Sequence, residues 1–116
     1  MKHVHYKEVK AQKATEAGAE GCRVRWLISD EDGAPNFYMR RFELEPDGRT
    51  PRHTHPWEHE VYVLEGEGTL LCKGGGEPFR AGDVVYIPPG EAHSFTAGPK
   101  APVAFLCMIP KEGKVS

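Results

Sequence analysis

Glycine and proline break the second half of this chain into short apolar runs. Thirteen glycines and ten prolines are spread among 116 residues, and the stretches between them are rich in Val, Tyr, Phe, Leu and Ile. Glycine supplies the backbone freedom that tight turns demand, and proline cannot donate to a β-ladder. Short apolar runs between such punctuation predict an all-β sandwich or barrel. The spacing predicts strands over Arg23–Ile28, Phe37–Leu44, His59–Leu64, Gly68–Cys72, Asp83–Ile87, Ala92–Thr96 and Val103–Ile109. Turns are predicted at Asp32-Gly33, Pro46-Asp47-Gly48, Gly66, Gly74-Gly75-Gly76, Ala81-Gly82-Asp83 and Pro88-Pro89-Gly90. Residues 7–20, with Lys, Glu and Ala, offer weak support for a helical turn. Residues 45–60 and 81–95 echo each other as turn, strand and histidine. Two such antiparallel units packed face to face make a jelly-roll barrel.

The length suits a single domain over residues 1–116, with one modest core. Hydrophobic residues make up 39%, charged residues 28%, and the formal net charge is −2, which fits a soluble globular protein. That balance offers no basic footprint for nucleic acid, and no apolar run approaches the roughly 20 residues that span a bilayer. The first twenty residues lack the apolar stretch of a secretory signal, so a cytoplasmic location is expected. Cys22, Cys72 and Cys107 form no C-x-x-C unit and are an odd number. They read as reduced thiols, with Cys107 a small core residue.

Four histidines carry the chemistry. His53, His55 and His59 lie in RHTHPWEHE, and His93 lies in PPGEAH. Imidazole is the commonest protein ligand for first-row transition metals at neutral pH. Side chains alternate along a strand, so His53 and His55 share a face, and His59 has the same parity. Residues two apart do not share a helix face. The plainer alternative is a set of separate surface or core histidines. Glu58 and Glu60 flank His59, and one of them would replace it as ligand if the bend fell differently. His3 and His5 read as bystanders.

The same residues resemble the cupins, whose first motif is G-x5-H-x-H-x3,4-E-x6-G and whose second is G-x5-P-x-G-x2-H-x3-N. Here Gly48 precedes His53 by four intervening residues instead of five, His53-Thr54-His55 supplies H-x-H, His59 stands in place of the usual Glu, and Gly66 closes the motif. Gly82, Pro88, Gly90 and His93 match the second motif, with Ala97 where its Asn belongs. The resemblance covers residues 34–110, leaving 1–22 as an N-terminal extension. The HPWEHE stretch, the short chain and the terminal IPKEG look like small bacterial single-domain cupins with a four-histidine manganese site. The resemblance implies a double-stranded β-helix, a homodimer, and an octahedral metal with two open positions. Manganese is the implied ion, though imidazole also accepts iron, nickel, copper or zinc.

Alternation along Phe37–Leu44 puts Arg40 with Phe42 and Leu44 on the interior face. A guanidinium there either anchors a carboxylate or enolate substrate, or pairs with an internal acid or snorkels out. Val61, Val63, Phe95, Val103, Phe105 and Cys107 share inward parity and either line a small apolar cavity or simply pack. Phe105 and Phe95 are pocket candidates with Arg40, and Trp57 is a lid or a dimer contact. Tyr62 and Leu64 face outward toward a second subunit. No residue is singled out as catalytic. The leading functional expectation is a metal-dependent oxygenase or dioxygenase acting on a small organic substrate, with a Lewis-acid lyase or isomerase close behind. The alternatives are a non-catalytic metal-dependent small-ligand or sensor module, and a structural dimer with an incidental metal.

Overall fold

Burial alternates along the strands with the period-2 rhythm of a sheet that has one dry face. In the computed structural model, which describes residues 1–114, His59, Val61 and Val63 point inward while Glu60, Tyr62 and Leu64 point out. Val103, Phe105, Cys107 and Ile109 do the same on the last strand.

Nine strands follow one another: β1 (Gln12–Lys13), β2 (Glu20–Ile28), β3 (Phe37–Arg49), β4 (His59–Glu65), β5 (Glu67–Cys72), β6 (Gly75–Arg80), β7 (Val84–Ile87), β8 (Ser94–Ala97) and β9 (Val103–Pro110). Three short 3-10 turns complete the regular structure, and the described residues contain no α-helix. The sheet runs β6-β5-β8-β3-β9-β4-β7, with β2 added beside β3 and β1 beside β2, and its ladders are antiparallel. It curls on itself as a jelly-roll barrel.

The long strand β3 joins the two halves. Phe37–Leu44 pairs with β9 on one side, and most of the same stretch pairs with β2 on the other. Arg49 instead pairs with Thr96 of β8. The predicted Pro46-Asp47-Gly48 turn is therefore a bend inside a continuous strand. Asp47 takes a positive φ of 64° there, and Gly48 packs so closely that a Cβ would lie 2.6 Å from the Gly21 carbonyl. Side-chain size at position 48 is thus limited by the neighbouring strand.

The core lies between the halves. Phe79, Phe95, Phe105 and Phe42 form a file of rings, with successive centroids 5.6, 4.6 and 5.1 Å apart. Such pairs contribute about 0.5–1.5 kcal/mol each beyond the area they bury. Leu44, Val63, Val103 and Ile109 fill the space around them.

All seven predicted strands are present, with ends shifted. β7 starts after Asp83, β8 starts after His93, and β2 begins earlier, at Glu20. Two strands escaped prediction. The Gly74-Gly75-Gly76 turn signal masked β6, whose first two residues are glycines held by the β5 ladder. The Lys- and Glu-bearing residues 7–20 begin in the 3-10 turn Tyr6–Glu8, then hold the two-residue β1, paired with Val24 and Arg23, and form no α-helix. Cross-strand pairing there outweighs helix propensity, as tertiary context commonly does.

Candidate metal centre

A loop, a strand and a turn bring the histidines together. Residues 50–58 leave regular strand geometry, because Pro51 and Pro56 cannot donate to a ladder. The strand predicted to align His53 with His55 is absent: His53 makes only an isolated bridge to His93. The Gly90 amide donates to the His55 carbonyl at 2.8 Å, fastening the loop to the turn before β8. Strand β4 then opens with His59 pointing inward.

One candidate ligand atom from each of His53, His55, His59 and His93 lies within 4.8 Å of the others. His55 Nε2 and His59 Nε2 are 2.8 Å apart. Neighbouring rings meet edge-on, with interplanar angles of 65° to 84°. Edges converging on one point is the arrangement a shared ion requires, since ring nitrogens lie on the edge. His59 and His93 are buried, and His53 and His55 are half-buried.

The outward ring nitrogens fix the tautomers. His55 Nδ1 lies 3.1 Å from the Trp57 carbonyl, and His93 Nδ1 lies 2.9 Å from the Glu91 carbonyl. A carbonyl only accepts, so both Nδ1 atoms carry the proton and both Nε2 lone pairs face the centre. His53 Nδ1 faces the Glu16 carboxylate at 3.6 Å. His59 Nδ1 faces no oxygen: Cys107 Sγ stands at 3.3 Å and Arg40 Nη2 at 3.4 Å.

Burial drives the His59 pKa down to about 2, helped by the Arg40 charge and the other imidazoles. Burial likewise lowers His55 and His93. Neutral imidazole is the form that ligates. The donor set, its convergence and its charge state therefore fit a divalent transition metal. Glu58 and Glu60 do not join the set. They lie outside the barrel beside Phe37 and Met108, where partial burial and the adjacent Glu58 push the Glu60 carboxyl up to about 7.

The histidines open onto a cavity of about 600 Å³ walled by Trp26, Arg40, Phe42, Trp57, Phe95 and Phe105. Arg40, Phe95, Phe105 and Trp57 are thus gathered around the histidines. Trp57 stacks on His55 with centroids 4.4 Å apart and planes 10° from parallel. Val61 and Cys107 also reach the cavity, whereas Val63 and Val103 pack in the core beneath it. The sequence reading overlooked Trp26 and Glu16. Parity along β2 was available for Trp26, but nothing local marks residues 12–16 as a cavity wall.

Arg40 differs from the neighbouring arginines. Arg25 and Arg41 both bond Glu43, at 3.0 and 2.8 Å. Arg40 pairs with no carboxylate among the described residues, and its Nε is buried without a partner. Its guanidinium lies over the Phe42 ring at 4.8 Å and near Trp26 at 5.4 Å. A half-buried cation with a buried spare donor is costly unless an anion completes it.

A family model described as the cupin domain matches residues 40–109. Among solved structures, the polyketide cyclase RemF from Streptomyces resistomycificus is 41% identical, with a TM-score of 0.92 over 100% of this chain and 87% of that one. An oxalate-binding protein from Thermotoga maritima is 36% identical over 70 residues, 60% of this chain and 58% of its own. The (R)-mandelonitrile lyase of Granulicella tundricola is 38% identical over 66 residues, 56% of this chain and 50% of its own. The match therefore spans only half to three-fifths of those two relatives' lengths.

Proposed function

Taking as premise that the chain belongs to the cupin family, we propose that it is a metal-dependent enzyme acting on a small, enolisable, anionic organic substrate, and that its reaction is a cyclisation of the polyketide-cyclase kind. The observation that carries this reading is the Arg40 guanidinium, which has no carboxylate partner among the described residues and shares one aromatic-walled cavity with the four histidines. Full-length similarity to a polyketide cyclase supports the same direction. Similarity to an oxalate-binding protein supports a carboxylate or enolate ligand.

His53, His55, His59 and His93 would hold the ion. When bound, a divalent ion supplies a Lewis acid whose charge four neutral imidazoles leave undiminished. Manganese is proposed first, with iron, nickel, copper and zinc also compatible with imidazole. The Arg40 guanidinium supplies the positive charge that draws the anionic oxygens and fixes which end of the substrate faces the histidines. Phe42, Phe105, Trp26 and Trp57 pack against a planar carbon skeleton and keep water from it. Holding a flexible chain in one folded pose is itself catalytic for a ring closure, because it removes the entropy cost of bringing the two carbons together.

The oxygenase or dioxygenase reaction favoured by sequence is a second reading of the same site, supported by the apolar wall facing the histidines. A non-catalytic binding module is the third. Metal analysis followed by turnover of a poly-β-keto acid, with and without oxygen, separates them. Metal- and Arg40-dependent cyclised product without oxygen uptake supports the proposal. Oxygen consumption moves the protein to the second reading, and tight anion binding without product moves it to the third.

A cytoplasmic homodimer is proposed as the working form. The outer face of β4 and β7 exposes Tyr62, Leu64, Val84 and Tyr86, an apolar strip on an edge strand of the kind that pairs with another copy.

A further inference from the structure

His59 is the one histidine of the set whose outward nitrogen meets no oxygen acceptor. Its Nδ1 has two polar neighbours, Arg40 Nη2 at 3.4 Å and Cys107 Sγ at 3.3 Å. They pull in opposite directions. A guanidinium only donates, so pairing with Arg40 makes Nδ1 an acceptor and leaves the proton of a neutral ring on Nε2. That tautomer has no lone pair to offer at the centre, and its Nε2–H points at His55 Nε2, 2.8 Å away. A thiol donates only weakly and can accept; where Cys107 Sγ accepts, the proton sits on Nδ1 and Nε2 is free as a ligand. Cys107 Sγ also accepts from Arg40 Nη2 at 3.1 Å, so that the sulfur, the guanidinium nitrogen and His59 Nδ1 close a compact triangle. The sulfur therefore occupies the guanidinium's donor while presenting a lone pair to the imidazole.

We propose that Cys107 is a positioning residue for the metal centre: its sulfur accepts from His59 Nδ1–H and from Arg40, and so selects the ligating tautomer of His59. The inference rests on the four-histidine metal reading. The role corresponds to that of the Trp57 and Glu91 carbonyls behind His55 and His93, here given to a side chain. A polarisable sulfur takes both donors at distances longer than an oxygen would set. Cys107 sits mid-strand in β9 with its side chain inward, paired to Arg40 of β3 and Val61 of β4. Its position is thus set by two ladders, which is what holding a ring orientation demands.

The test measures metal binding and not turnover. Cobalt(II) and manganese affinities, with the visible spectrum of the cobalt form, would be compared among the wild type, Cys107→Val, Cys107→Ser and His59→Ala. Valine fills the space but accepts nothing, and serine keeps an acceptor. Expected is a loss of about 10–100-fold in affinity for Cys107→Val, the scale seen when an outer-shell partner is removed. Its cobalt spectrum should shift toward that of His59→Ala, and Cys107→Ser should recover most of both. Adding Cys107→Val to His59→Ala should cost nothing further, since the sulfur acts through that ring. Wild-type affinity and spectrum in Cys107→Val would overturn the assignment, and so would an equal loss in the His59→Ala background, which would mark a packing effect. A wild-type protein that takes up neither ion would overturn both this role and the metal centre it serves.

Discussion

The backbones of His53 and His93 form an antiparallel bridge, each N–H donating to the other's carbonyl, at 3.3 and 3.2 Å. Two candidate ligands 40 residues apart in sequence are thereby joined by main chain alone. Thr50 extends the same seam, its amide donating to the Phe95 carbonyl at 2.9 Å and its hydroxyl accepting from the Phe95 amide at 3.0 Å. The site's frame does not depend on the imidazoles it carries.

Truncating the histidines should therefore empty the site without unfolding the barrel. Alanine at position 53, 55, 59 or 93 is expected to weaken divalent-metal binding at least tenfold, with the far-ultraviolet circular dichroism of the wild type retained. Elemental analysis of the purified variants checks it. Full occupancy in the His59→Ala protein would remove that residue from the ligand set.

Arg40→Met should raise the KM for an anionic substrate, or the Kd for a carboxylate ligand, by about 10–100-fold, the worth of a charge-assisted hydrogen bond in a partly dry cavity. Arg40→Lys should not restore it, because an ammonium lacks the planar fork. Isothermal titration with oxalate and malonate separates this from metal loss, provided metal content is measured on the same samples.

Acid should destabilise the metal-free protein from about pH 6.5 downward. An unfolded histidine takes its proton near 6.5, whereas burial holds folded His59 neutral down to about 2. Between those values the unfolded chain binds the extra proton, so falling pH favours unfolding. The stability linked to His59 is complete above about 6.5 and drains away as pH falls toward 2. Urea midpoints measured at steps from about pH 7.5 to 4.5 should decline, and His59→Leu should flatten the slope.

Two charges on the outer strip should separate the proposed dimer. Tyr62 and Val84 are opposite each other in the β4–β7 ladder and exposed. A Tyr62→Asp, Val84→Asp protein is expected to run as a monomer by light scattering at micromolar concentration while keeping its metal. A wild-type monomer under the same conditions would defeat the dimer.

Gly66→Ala should cost about 1–3 kcal/mol, the range for forced overlap in a packed interior. Gly66 has a φ of 87°, and a Cβ there would overlap the Pro102 carbonyl and Val103. Chemical denaturation reads the loss directly.

Sequence by itself determined the strand rhythm, the inward set of β4 and β9 and the identity of the four histidines. Each is a local pattern: alternation fixes which side chain shares a face, and turn residues mark where a strand must end. It also placed Arg40 on the inner face, because Phe42 and Leu44 are two and four residues on. Only the tertiary structure decided that β3 runs unbroken through Pro46–Gly48, since its last residue pairs with β8, nearly 50 positions away. Tertiary contacts also set the alignment of His53 with His55, which comes from a loop tied to His93 and Gly90 and not from a strand. The lack of an acid beside Arg40 among the described residues, the placement of Cys107 against both that guanidinium and His59, and the wall built by residues 12–16 are of the same kind. They depend on which distant strands become neighbours once the sheet curls. A pattern of period two records the face a side chain takes, but not what stands opposite it.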